Sequence, residues 1–96
     1  MQDDELRRQA ADPDRLVEGE DPEAVDRATA ERWIGVYREM LETKSDLLAQ
    51  LRDQMAGMSP DAQKELAATD EYLLQSQTER FRRRIAHWTE VLAKAS

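Results

Sequence analysis

Three prolines set where a helix can run unbroken in this chain, and each is flanked in the same way: Asp12-Pro13-Asp14, Asp21-Pro22-Glu23 and Ser59-Pro60-Asp61. Proline has no amide hydrogen and clashes with the preceding helical turn, so it is tolerated at a helix's first position but not inside it. The Asp or Ser before it can accept from an orphan amide, and the acid after it complements the helix dipole. Each triplet therefore reads as a helix start, most clearly the second and third. Between Pro22 and Ser59 no proline intervenes, and Gly57 stands where a left-handed C-cap residue is wanted, just before the Ser59-Pro60 restart.

The expected fold is all-α: a long antiparallel two-helix hairpin spanning residues 21–96, with arms at about 22–56 and 60–94 joined by a tight turn. Arms of about 35 residues would each be roughly 52 Å long at 1.5 Å per residue. Few glycines and prolines, with charged residues at 36% and apolar residues at 40%, fit long amphipathic helices.

In the first arm Ala30, Trp33, Tyr37, Met40, Leu47, Leu51 and Met58 form one apolar row at helical spacing. Ile34, Leu41, Leu48 and Met55 form a second, every seven residues. A two-helix seam needs only the first row, so the second argues for a further helix, most simply from a second copy: a homodimer closing a four-helix bundle, or another helical protein as partner. In the second arm Leu66, Leu73, Phe81, Ile85, Trp88 and Leu92 define the face. Gln77 interrupts it where the spacing runs in fours from Leu73 to Ile85, the pattern of a stutter that locally unwinds the supercoil. Lys44 is a polar intruder in the first arm. Such residues penalise wrong alignments and help choose partners. The expected interface is Ile34, Leu41, Leu48, Met55, Leu73, Phe81, Ile85, Trp88 and Leu92. Gly35 lies off the first row and should only cost stability.

The net charge of −7 is uneven. Residues 1–21 carry eight acids against three arginines, whereas residues 59–96 balance six against six. The acidic segment 1–20 lacks sustained periodicity and is expected to be partly disordered, with one short helical turn after Asp12-Pro13 where Leu16 and Val17 could pack on the hairpin. An acidic chain repels phosphate backbones and anionic membranes, so neither general nucleic-acid nor membrane binding is expected. There is no signal-peptide pattern and no membrane-spanning run, which makes the cytoplasm the default location.

Without cysteine the chain has no disulfide, thiol nucleophile or thiolate metal site, and a lone His87 cannot supply a two-histidine metal site. A carboxylate-plus-His site would need Glu31 or Glu90 to converge on His87. Carboxylates such as Glu39, Glu42 and Asp46 sit among charges of alternating sign, the pattern of a solvated helix face. No catalytic residue, metal or cofactor is expected. The sharpest feature is a basic cluster, Arg80, Arg82, Arg83 and Arg84, which antiparallel pairing brings near Trp33, Tyr37 and Trp88 at the open end of the hairpin. Guanidinium forks beside aromatic rings suit a phosphate or a base, so Arg80, Arg83, Arg84, Trp33 and Tyr37 are candidates to bind a small anionic or nucleotide ligand. The plainer alternative pairs these arginines with Glu31, Glu39 and Glu79 on helix faces. The expected function is that of a helical protein-interaction module, a small bacterial regulator or adaptor. The alternative is a sensor of a small anion at the arginine end.

Overall fold

In the computed structural model Arg8 and residues 12–95 are described; the part of the expected acidic segment before residue 12 lies, Arg8 apart, outside them. The described chain is a helical hairpin with a non-helical strap laid across one end. Helix α1 spans Arg27–Met55, α2 Pro60–Leu66 and α3 Tyr72–Lys94; α2 and α3 are joined without a break by a π-helical turn, Ala67–Glu71. Helices α1 and α3 pack against each other along the hairpin. Among the described residues no helix is long and apolar enough to cross a membrane.

Only one of the three proline triplets starts a helix. At Ser59-Pro60-Asp61 the serine Oγ accepts from the Ala62 amide at 3.3 Å and α2 begins at the proline. Asp12 and Asp21 use the same chemistry to close turns instead. Asp12 Oδ1 accepts from the Asp14 amide at 2.9 Å, and Asp21 Oδ1 accepts from the Glu23 amide at 3.0 Å. Asp followed by Pro suits a β-turn as well as an N-cap, and no helical run follows directly to decide for the cap. The first long helix therefore starts five residues later than Pro22, at Arg27, where Asp26 accepts from the Thr29 amide at 2.9 Å.

Gly57 is not in the left-handed region; the described residue with a positive φ is Gly19, at 89°. Helix α1 ends instead by tightening, with Gly57 and Met58 amides donating to the carbonyls of Gln54 and Met55 at 3.3 and 3.0 Å. The expected stutter around Gln77 falls within regular α3, and the change of winding lies upstream, in the π turn.

Both apolar rows of α1 enter the packing of the hairpin, so the second is not left free as the sequence expectation had it. Ile34, Leu48 and Met55, from the second row, are buried within the single hairpin and Leu41 is half-buried. This row is the seam, so it is not spare surface. The first row runs along an adjacent face. Ala30, Trp33 and Tyr37 are buried beneath the strap at the open end, Met40 and Leu51 are half-buried, and Leu47 and Met58 are exposed towards the turn. The main core is Ala30, Trp33, Ile34, Tyr37, Phe81 and Trp88, with Val17 and Ala24 of the strap packed on it and Ile85 and Leu92 of α3 at its edge.

Candidate functional site

One side chain, Glu20, makes the strap's buried polar anchor. Val17 to Glu20 form a β-turn, with the Glu20 amide donating to the Val17 carbonyl at 2.9 Å and Gly19 supplying the positive φ at its third position. That turn swings the Glu20 carboxylate into the open end of the hairpin, where its side chain is 0% exposed. Oε1 accepts from the Tyr37 hydroxyl and, at 3.0 Å, from the Val17 amide. Oε2 accepts from Arg84 Nε at 3.1 Å, Arg84 Nη2 at 2.8 Å and Trp88 Nε1 at 2.8 Å.

A buried carboxylate is costly unless paired and fully hydrogen-bonded, and this one is both. Burial by itself would raise the Glu20 pKa. The bonds from Tyr37, Arg84, Trp88 and the Val17 amide outweigh that and hold it below 4.5. The same contact acts in reverse on the phenol: burial, then the Glu20 bond and charge, push Tyr37 up to about 12. Two other ion pairs, Arg27–Glu31 and Glu90–Lys94, join exposed side chains one helical turn apart and contribute only tenths of a kcal/mol each.

The arginine cluster is therefore divided. Arg84, whose guanidinium lies 5.9 Å from the Trp88 ring, grips Glu20; Arg83 Nη2 reaches the Pro13 carbonyl at 3.4 Å; Arg82 is exposed. Tyr37, Arg84 and Trp88 do converge on a carboxylate, and the Trp33 ring lies tilted beside Tyr37 at 6.4 Å, but the anion at their centre is the chain's own Glu20. The expected pairing of the cluster with Glu31, Glu39 and Glu79 is absent from the described ion pairs, where Glu31 is held by Arg27.

Arg80 differs from its neighbours. It is buried, its guanidinium sits 5.0 Å from the Phe81 ring, and neither Nε nor Nη1 has a hydrogen-bond partner among the described residues. Burial lowers its pKa, and the nearby positive charge of Arg15 adds to that. One helical turn earlier the buried Gln77 has an unpartnered Oε1. His87 lies edge-on to Trp88 at 4.8 Å, with Nε2 buried and unpaired.

Sequence reasoning found the basic and aromatic half of this arrangement and missed Glu20 and Gly19. Their signal was local: a glycine between acids, directly after the apolar pair Leu16-Val17, marks a turn at the edge of a core. No protein-family model, curated protein or solved structure matches the chain.

Proposed function

We propose that this chain is a helical protein-interaction module, a small regulator or adaptor without enzymatic activity, whose hairpins pair as a homodimer to make a four-helix bundle. The observation that carries this reading is the unequal fate of the first apolar row. The strap covers it at the open end, and it continues bare towards the turn at Leu47 and Met58. The hairpin is a single layer, 54 × 30 × 14 Å, and among the described residues its turn-proximal half has no other element to cover that row.

Pairing through this face would bury Leu47, Leu51 and Met58 against their counterparts, while Glu20 keeps the open ends closed.

The test is the pair Leu47→Glu and Met58→Glu in one chain. These side chains lie outside the seam, so helical content by circular dichroism should be retained while sedimentation shows the dimer replaced by monomer. An unchanged dimer in that variant would refute the assignment of this face.

A further inference from the structure

Beside the Glu20 contact, on the strap face of the hairpin, lies an open groove of about 420 Å³ lined by Arg15, Val17, Glu18, Met40, Lys44, Gln77, Arg80 and Phe81. Two of its lining residues, exposed by only 7% and 9%, carry buried polar groups without a partner among the described residues: Arg80 Nε and Nη1, and Gln77 Oε1. Buried polar groups in folded proteins are nearly always hydrogen-bonded, and a buried guanidinium without an acceptor is among the costliest exceptions. The lining carries three cations, Arg15, Lys44 and Arg80, against Glu18, with Asp12 close enough to bear on Arg80.

We propose that this groove binds a small organic anion. Its carboxylate or phosphate pairs with the Arg80 guanidinium, with Lys44 and Arg15 at the rim. Its apolar part rests on Phe81 and Met40, beside the Gln77 amide. A guanidinium forms charge-assisted hydrogen bonds with a carboxylate or a phosphate. The site is separate from the Arg84–Tyr37–Trp88 cluster, where Glu20 already supplies the anion. Its lining does not include Leu47, Leu51 or Met58, so the Leu47→Glu, Met58→Glu variant separates anion binding from dimer formation.

The experiment is a nuclear magnetic resonance titration of the full chain with mandelate, which carries a carboxylate, a hydroxyl and a phenyl group, and with phenyl phosphate. The neutral diol of mandelate, with CH₂OH in place of the carboxylate, is the control. Saturable shifts of the Arg80 Nε–H and the Gln77 side-chain amide are expected with at least one anion and not with the diol, and the stronger anion identifies the acid class. Arg80→Met keeps the volume and removes the unpaired charge, so it should fold at least as stably as the parent while weakening the anion at least tenfold. Lys44→Gln, at the half-buried rim, gives an independent reading and should weaken it severalfold. Absence of saturation with both anions, equal response to the diol, or unaltered binding in Arg80→Met or Lys44→Gln would overturn the proposal.

Discussion

Glu20 and Trp88 stand 68 residues apart in the chain, and the indole Nε1 donates to the carboxylate Oε2 at 2.8 Å inside a site that excludes solvent from both. This contact joins the strap to the last helix, while Tyr37 joins it to the first, so one carboxylate fixes the positions of three segments. The open end of a two-helix hairpin would otherwise be free to fray.

Removing that carboxylate should therefore be expensive. Glu20→Ala leaves Arg84, Tyr37 and Trp88 without their acceptor, and breaking a buried pair in this way costs about 3–5 kcal/mol. Glu20→Gln keeps the volume but turns one acceptor into a donor and should fall between the two. Urea denaturation measures the loss, and the Trp88 indole resonance should move in both variants. A Glu20→Ala protein as stable as the parent would remove the strap from the list of structural elements.

The same contact sets two pH limits. Because the folded pKa of Glu20 lies below 4.5, its contribution is complete above that value and is lost as pH falls through the folded pKa. Stability should be flat on the mildly acidic side of neutrality and decline below about pH 4.5, more steeply in the parent than in Glu20→Gln. For Tyr37 the folded pKa is raised from 10.0 to about 12, so its contribution is complete below 10.0 and disappears as pH rises through about 12. A phenolate absorbance step near that upper value should be missing from Tyr37→Phe.

Three glycines should behave in three ways when changed to alanine. Gly35 lies inside α1 with nothing within 4 Å of an added Cβ, so Gly35→Ala should stabilise by about 0.5–1 kcal/mol. Gly57 meets only the Gln54 carbonyl at 3.8 Å and has no positive φ, so Gly57→Ala should be neutral or slightly stabilising. Gly19, at a φ of 89°, should resist the change. Gly19→Ala strains the turn that aims Glu20 and should cost about 1–2 kcal/mol. Melting temperatures of the three variants check the order.

These glycines also show where the sequence was legible. The hairpin and the Ser59-Pro60 cap were readable because each has a local signature, an uninterrupted helical period and a capping side chain, whereas the left-handed role expected of Gly57 fell to Gly19. The start of α1 was misplaced because Asp-Pro-acid encodes two local structures, and only what packs behind it chooses between them. The role of the second row was misassigned for a different reason. Periodicity places Leu47 and Leu48 on neighbouring faces but cannot say which face the second helix takes once a strap competes for one of them. The Arg84–Tyr37–Trp88 convergence was legible as an anion site, whereas its occupant lay in a segment without periodicity.

The adjacent leucines give the sharpest mutational contrast. They are one position, about 100°, apart on α1. Leu48 is buried in the seam and Leu47 is exposed. Leu48→Glu would place a charge among apolar side chains and should unfold the hairpin. Leu47→Glu should leave the helix content intact and weaken only association. Circular dichroism and sedimentation on the two variants separate the outcomes, and equal behaviour would contradict the assignment of seam and face.

Native mass spectrometry of the intact parent chain tests self-association most directly, because it reads copy number without assuming an interface. A species at twice the 11.1 kDa chain mass is predicted, persisting on dilution into the low micromolar range expected of a standard-sized interface. A single-chain mass throughout the concentration series would contradict the paired-hairpin reading, and the bare row at Leu47 and Met58 would then have no second copy to meet.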